Sequence, residues 1–384
     1  MAASPVYISK LQSTQGHKKE YLFVNNVRFI SMAAVVAMHC SETALRLTGA
    51  NPSSLIVMVQ PFKFGTIGFF LISGFLMGKG LTQRNPLEYL ARRVHTVLLP
   101  WLLWFSFYCS LRFVHDLSLA ILHSNSALNL LLSILGLIRA GIFDSIYWFV
   151  PNLMFSLCFL LLCRRFLDDL RLGAILLGVS LIYGINVHAQ WVPVSSHSEA
   201  LFGFVFYLWL GIWAARNARV IDRISQTRTW FILGFVVLSG LAALQESSIM
   251  IAAGATDALD TLRISNQLFS VAAVVAIVKM RGAISPRFLN VRNCTFGIYL
   301  IHPIALSATW RFAKWILPGA FDVNVANPAL VSVCLACALF VAVYGAALGL
   351  ATFIVSRPQV SWIVGNFAKN SNPSAAPARD LCTN

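Results

Sequence analysis

Stretches of about 20 consecutive apolar residues recur along almost the whole 384-residue chain, and no other feature limits its fold as strongly. A helix of about 20 residues rises roughly 30 Å, which is the thickness of the hydrocarbon core of a bilayer. The composition agrees, because 58% of the residues are hydrophobic and only 11% are charged, against about 25% in an average soluble domain. The sequence therefore predicts an all-α, polytopic transmembrane bundle and excludes a water-soluble fold.

About ten segments satisfy this length requirement, with boundaries defined to within a few residues. They are 22–40, 55–78, 91–111, 146–163, 172–189, 200–215, 230–249, 264–280, 293–315 and 329–356. One transmembrane domain, residues 21–360, thus follows a polar segment, residues 1–20, that lacks the apolar core of a cleavable signal peptide. The remaining tail, residues 361–384, ends in a stretch rich in Asn, Ser, Ala and Pro and is expected to be disordered.

The basic residues predict how these spans are oriented. With the N-terminus in the cytoplasm, 21 of the 29 Lys and Arg residues fall in cytoplasmic segments, as the positive-inside rule requires. Both termini are then cytoplasmic. The net charge of +15 reflects this topology and contact with membrane lipids, not nucleic acid, because no basic cluster is backed by a soluble nucleic-acid-binding module.

The apolar segment 126–138 is too short to span a bilayer. Three arrangements stay open for it: an interfacial helix, a re-entrant segment, or an extra span that inverts every later loop. Reporter fusions on either side of the segment show whether it is an extra span, because only that arrangement inverts the later loops.

The first span carries ionisable residues, which cost roughly 2.5–3.5 kcal/mol each at the bilayer centre and therefore indicate function. Arg28 and His39 are eleven residues apart, so they share a helix face and lie about 16 Å apart along the axis. Glu42 continues this face one turn beyond His39. The structural alternative is a snorkelling arginine and an interfacial histidine, but the shared face favours a site. His39 is then a candidate general base, with Glu42 orienting its ring.

Polar residues in the next two spans are less specific. The second span has a Gly and Ser face, which favours close helix packing or a narrow channel beside the first span, and Ser73 on it is a remote candidate nucleophile. Arg92 and Arg93 begin the third span, where they either anchor the topology or bind phosphates through their guanidinium groups. No metal site is expected, because the pair Cys334 and Cys337 has no His or acid nearby.

Taken in order, several motifs resemble the acyltransferase-3 family of membrane acyltransferases over about residues 20–356. The motifs are Arg28-x10-His39, GTIGFFLISGFLM from Gly65 to Met77, ARRVHTVLLPWLLW from Ala91 to Trp104, YWFV from Tyr147 to Val150, and CTFGIYLIHP from Cys294 to Pro303. The ordered set is specific, although no single motif is. One departure is that related sequences commonly carry a further basic residue after the arginine pair, where this chain has His95 and Thr96.

The resemblance implies a cytoplasmic acyl-coenzyme A donor, preferably acetyl-coenzyme A, in a bacterial inner membrane. It implies a catalytic histidine at His39 and arginines near the donor at Arg28 and at one or both of Arg92 and Arg93. The acceptor would be a hydroxyl of an envelope or secreted carbohydrate, or of a lipid-linked or related acceptor, reached directly or through a separate envelope partner protein. The family's optional extra-membrane esterase-like domain is absent from the sequence.

The ninth span adds Tyr299 and His302, which share a helix face and match a family motif. The resemblance makes them supporting residues of the site. Pro303 should bend or break their helix and free backbone groups. The alternative for these residues is a structural kink.

Two other functional classes compete with an acyltransferase. A carrier or flippase of a lipid or small solute accommodates an intramembrane Arg and His equally well. The sequence, however, shows no evident inverted repeat with paired broken helices, as many secondary transporters do. A structural or scaffolding membrane protein would not need the polar face of the first span.

Overall fold

The computed structural model describes residues 5–49, 51–78, 80–123, 126–192, 197–217, 219–255, 257–280, 282–286, 289–316 and 327–367. Over these residues the chain forms fifteen α-helices and no β-strand, which confirms the all-α class. The helices are α1 (Pro5–Thr48), α2 (Pro52–Val59), α3 (Phe64–Met77), α4 (Gly80–Gln83), α5 (Pro86–Arg93), α6 (Leu99–His123), α7 (Ala127–Phe143), α8 (Phe149–Leu162), α9 (Leu170–Ala189), α10 (Val205–Arg216), α11 (Arg219–Gln226), α12 (Thr229–Ala252), α13 (Ile264–Lys279), α14 (Val291–Ile316) and α15 (Pro328–Val355).

Several helices begin where the sequence provides a capping side chain. Asn51, Asn85 and Asn327 precede the prolines that open α2, α5 and α15, and each accepts a hydrogen bond from a first-turn N–H group. Ser126 caps α7 and Asp169 caps α9 in the same way. These side chains satisfy backbone N–H groups that have no partner inside the helix.

Among the described residues, six helical segments are long and apolar enough to cross a bilayer, and they make this an integral membrane protein. They are Leu22–Thr48, Ser53–Met77, Pro86–Leu111, Leu170–Ala189, Thr229–Ala252 and Pro328–Val355. A pair of helices bent by 75° is a seventh candidate, and α10 and α13 are apolar but shorter. The expected count of about ten spans and the orientation of the termini stay predictions.

The segment 126–138 lies within α7, which continues to Phe143. A short break follows, and Ile146–Leu162 leaves it at an angle of 75°. Leu128, Leu132 and Leu135 on α7 are more than half exposed, as side chains in contact with lipid are. The bend favours a broken span or a re-entrant arrangement over a straight additional span.

Helix α1 lies at the centre of the bundle. It packs against α3, α13, α14 and α15, and Val27, Met32, Val36 and Ala44 on it are almost completely buried. A helix buried on most sides has little contact with lipid, so its polar residues face protein or an internal cavity.

The described part of the predicted tail also packs on the bundle. Ser361–Val364 form a 3-10 turn in which Ser361 and Val364 are buried, and the Ile363 carbonyl accepts a hydrogen bond from Trp104. Residues 368–384 lie outside the described residues.

Helices α3 and α10 cross at backbone contact. A Cβ atom on Gly74 would lie 2.1 Å from the Leu208 carbonyl oxygen, and one on Gly211 would lie 2.0 Å from the Leu71 carbonyl oxygen. Only glycine fits at either position, because any side chain would force the two helices apart. Of the two interpretations of the second span's small residues, helix packing therefore accounts for Gly74.

Candidate functional site

A large cavity of about 1180 Å³ lies along one face of α1. Its volume exceeds the roughly 300–1,000 Å³ of ordinary ligand pockets. The α1 residues that line it run from Val24 to Arg46, a stretch that rises about 33 Å along the helix. Because this length is close to the hydrocarbon thickness of a bilayer, a ligand in the cavity can approach both faces of the membrane.

The structure brings seven of the eight candidate site residues to this cavity, from four different helices. These residues are Arg28, His39, Glu42, Ser73, Arg92, Arg93 and Tyr299. The eighth, His302, is fully buried behind the wall, with its ring 5.9 Å from that of His39. The geometry shows that these side chains are neighbours, while the chemical role of each stays a prediction.

His39 and Glu42 form a hydrogen-bonded pair on α1. The His39 Nδ1 atom lies 3.3 Å from Glu42 Oε2, which is the contact expected from residues three apart on a helix. An ionised carboxylate only accepts hydrogen bonds, so we assign the proton of the neutral ring to Nδ1. The Nε2 lone pair of His39 is then available to take a proton from a substrate hydroxyl.

His302 is oriented by the proline that follows it. Pro303 has no N–H group, so the Tyr299 carbonyl four residues earlier loses its helical partner. The His302 Nδ1 atom, which we assign as the protonated nitrogen, donates to that carbonyl at 2.8 Å. Its Nε2 atom is buried with no hydrogen-bond partner among the described residues. Of the expected bend or break, the break does not occur, because α14 is continuous from Val291 to Ile316 with Pro303 inside it.

Three arginines from three helices meet at the end of the cavity opposite His39. Arg28 on α1 interacts electrostatically with Arg93 on α5 and with Arg292 on α14. The Tyr89 hydroxyl accepts hydrogen bonds from Arg93, at 3.0 Å from Nη2 and 3.3 Å from Nε. We call Arg28, Arg93 and Arg292 the arginine cluster.

In the part of the chain that the structure describes, the arginine cluster has no carboxylate to neutralise it. Among the described residues, Glu42 and Asp144 are the acidic side chains that line the cavity, against seven Arg and Lys side chains. No described carboxylate forms an ion pair with a member of the cluster. Guanidinium groups that face one another in this way suit a polyanion such as a phosphate or pyrophosphate.

Ser73 lies on the cavity wall with its side chain half-buried. Among the described residues, no histidine or acid forms a hydrogen bond with its hydroxyl. A serine nucleophile needs an adjacent base, so this geometry gives Ser73 no activation.

Sequence reasoning did not single out Arg292 and Lys63 as lining residues, because it considered them only as basic residues that bear on topology. Both become neighbours of α1 through packing of distant segments, which residue spacing does not reveal. A weak signal existed, because Arg292 stands two residues before Cys294, where one family-like motif begins, and Lys63 stands two before Gly65, where another begins.

A comparison with protein families identifies this chain's relatives. The acyltransferase-3 family model, described as an acyltransferase domain, matches residues 21–349. Comparisons with curated proteins and with solved structures give no match. The matched range contains α3, α5, α14 and the part of α1 from residue 21 onward, and so includes all eight candidate site residues.

Proposed function

Because the chain belongs to the acyltransferase-3 family, we propose that it moves an acyl group from cytoplasmic acyl-coenzyme A to a hydroxyl at or beyond the membrane. The expected acyl group is acetyl, and the expected acceptor is an envelope or secreted carbohydrate or a related molecule. The observation that carries the proposal is one cavity with the arginine cluster at one end, which no described carboxylate neutralises, and a histidine–carboxylate pair at the other.

The donor would lie along α1. Its phosphates would bind the arginine cluster, and its pantetheine arm would extend through the cavity toward His39. Arg28 and His39 are separated by about 16 Å along the helix, so an extended arm can bridge them. Arg92 lines the same end of the cavity and would add to the positive field around the phosphates.

The proposed reaction is a direct transfer with His39 as the base. The acceptor hydroxyl gives its proton to His39 Nε2 while its oxygen attacks the thioester carbonyl. The tetrahedral intermediate then expels coenzyme A, and the thiolate takes the proton from the imidazolium. Glu42 would stabilise the imidazolium that forms during this cycle. The products are an acyl ester and free coenzyme A.

We also propose ten spans, with both termini in the cytoplasm and the chain in a bacterial inner membrane. The six long segments, the bent pair, and helices α10, α13 and α14 coincide with the ten apolar segments of the sequence. In this orientation the arginine cluster lies at the cytoplasmic end of the cavity, where acyl-coenzyme A is present, and His39 lies toward the outer face.

The proposal is tested with purified protein in lipid nanodiscs and acetyl-coenzyme A labelled on the acetyl carbon. Incubation with membrane and glycan fractions should release coenzyme A thiol and move the label to an acceptor. A carrier or flippase would leave the thioester intact in every fraction, and that result would overturn the proposal.

A further inference from the structure

Lys63 is a buried lysine whose side chain lines the cavity near His39. It immediately precedes α3, and its residue is only 4% exposed. Among the described residues, its ammonium group forms no hydrogen bond and has no carboxylate within ion-pair distance. A buried charge without a partner is costly, so its presence indicates that a ligand supplies the missing anion.

The position of Lys63 is fixed by the turn that precedes it. Gln60 in that turn donates to Asn266 Oδ1 at 2.8 Å and also accepts a hydrogen bond from Arg263, a completely buried arginine. The Lys63 backbone N–H in turn donates to the Gln60 carbonyl at 3.2 Å. A lysine that merely anchors a span extends its ammonium into water. Lys63 instead directly follows a turn that is held by the buried, hydrogen-bonded Gln60 side chain, and it lines an internal cavity.

The charges around Lys63 are not balanced among the described residues, and one further anion would balance them. Glu42 interacts electrostatically with Lys63 and with Arg46, and it also accepts the hydrogen bond from His39. One carboxylate thus faces two permanent cations at this end of the cavity. The hydroxyl-bearing residues Thr43 and Thr66 line the same end and supply further hydrogen-bonding groups.

We propose that Lys63 binds a carboxylate of the substrate beside the reacting centre, an inference that rests on the proposed function. Two sources supply such a group. It is either the distal carboxylate of a dicarboxylic acyl group on the donor or the carboxylate of an acidic sugar in the acceptor. In both cases the Lys63 ammonium makes a charge-assisted hydrogen bond that a neutral substrate cannot form.

The test compares binding of anionic and neutral probes to the full-length protein in nanodiscs by isothermal titration calorimetry. One pair is succinyl-coenzyme A and acetyl-coenzyme A, and the other is glucuronate and glucose. The wild type should prefer the anionic member of at least one pair by about tenfold or more, the usual effect of a charge-assisted contact. Lys63→Met should reduce that preference to near one, and Lys63→Arg should retain it. Lys63→Gln repeats the comparison if the methionine variant is poorly folded.

The matched control is Lys314→Met, which removes the same charge from the same predicted face of the membrane but outside the cavity lining. It should bind like the wild type. The pair whose preference depends on Lys63 identifies the source of the carboxylate. If neither preference differs between wild type and the neutral Lys63 variants, the inference is wrong, even where acetyl transfer occurs. If coenzyme A thioesters do not bind but glucuronate selectivity depends on Lys63, the proposed function fails, while binding of a carboxylate by Lys63 is still shown.

Discussion

At the residue scale, His39 forms its hydrogen bond with Glu42 through Nδ1, which leaves Nε2 as the nitrogen that can accept a proton. The Glu42 carboxylate holds Nδ1 at 3.3 Å, and the His302 ring lies 5.9 Å away. His39→Gln nearly keeps size and polarity, but glutamine cannot accept a proton near neutral pH. We expect acyl transfer to fall by about 10²–10⁴, the usual contribution of a general base. The measurement is label transfer at saturating donor.

Two controls define what the His39 result means. Donor binding by the His39→Gln variant should match the wild type, because the arginine cluster is intact. Glu42→Gln should reduce transfer less than His39→Gln, since it affects the orientation of the ring and not the proton acceptor itself. Transfer by His39→Gln at close to the wild-type rate would make His39 structural and the proposed mechanism wrong.

Arg92 and Arg93 are adjacent in sequence, but the structure separates their surroundings. Arg93 is partly buried, bonded to the Tyr89 hydroxyl and close to Arg28, whereas Arg92 is exposed. Arg93→Ala should weaken coenzyme A binding by about 10- to 150-fold, equivalent to about 1.5–3 kcal/mol for a charge-assisted contact. Arg92→Ala should weaken it less, because water screens an exposed charge.

Calorimetric binding of coenzyme A measures both variants. Arg165→Ala is the control, since Arg164 and Arg165 form a second pair of adjacent arginines, and this pair is exposed and does not line the cavity. Arg93→Lys should restore affinity only in part, because an ammonium group lacks the guanidinium fork. Unchanged affinity in both alanine variants would leave these arginines as topology anchors.

The candidate site was predictable from sequence only where one helix carries it. Arg28, His39 and Glu42 lie on α1, so helical spacing alone places them on one face. Arg292 is more than 260 residues from Arg28 along the chain and meets it because α14 packs beside α1. Lys63 reaches the cavity through a turn that distant side chains hold. Spacing rules do not extend to contacts that tertiary packing creates.

At the scale of elements, α3 joins the bundle through small residues on two sides. A Cβ on Gly68 would lie 2.5 Å from the Ser31 hydroxyl of α1, while one on Gly74 would meet the backbone of α10. The sequence predicted that this Gly and Ser face would permit close approach. It did not identify the two partners, because a small residue shows where a helix is allowed to approach and not which helix does.

Gly74→Ala and Gly211→Ala should each destabilise the protein by separating α3 from α10. Each new methyl group would overlap a backbone carbonyl that has no room to move, and overpacking of this kind costs about 1–3 kcal/mol. Thermal denaturation of the purified protein, monitored by size-exclusion chromatography, measures the loss of stability. Gly178→Ala on α9 is the control, because a Cβ there meets nothing within 4 Å. Equal stability of the Gly74 and Gly178 variants would contradict the backbone contact.

At the scale of the whole molecule, hydropathy predicted an all-α membrane bundle but not where each helix begins. The predicted span 200–215 is helical only from Val205, and the residues just before it form turns. Phe204 is completely buried there, with its ring 4.9 Å from Phe70 and 5.2 Å from Trp148. An apolar residue counts equally toward hydropathy in a buried turn and in a helix, so the sequence pattern does not separate the two.

The orientation of the molecule decides which ligand meets which end of the cavity. If the termini are cytoplasmic, the arginine cluster faces the compartment that contains coenzyme A, and Lys63 and His39 face the acceptor. Alkaline phosphatase, which is active only outside the cytoplasm, should be active when fused at about residues 120 and 255. Green fluorescent protein should fluoresce when fused near residues 84, 170 and 225, because the positive-inside rule places those loops inside.

Helix α7 gives the reporter experiment its sharpest comparison. A broken span formed by α7 and α8, or a re-entrant α7, leaves residue 170 in the cytoplasm, whereas a separate crossing by α7 moves residue 170 and every later loop to the opposite face. Fusions at residues 120 and 170 therefore report on which side of the membrane the chain lies before and after the bent pair α7 and α8. Phosphatase activity at both would show that α7 crosses alone, and cytoplasmic fluorescence at residue 120 would refute the ten-span model. With the expected pattern, α1 and α14 are parallel spans that both begin on the cytoplasmic side, so Arg28 and Arg292 share the cytoplasmic end of the cavity. A donor bound there reaches His39 through the cavity itself.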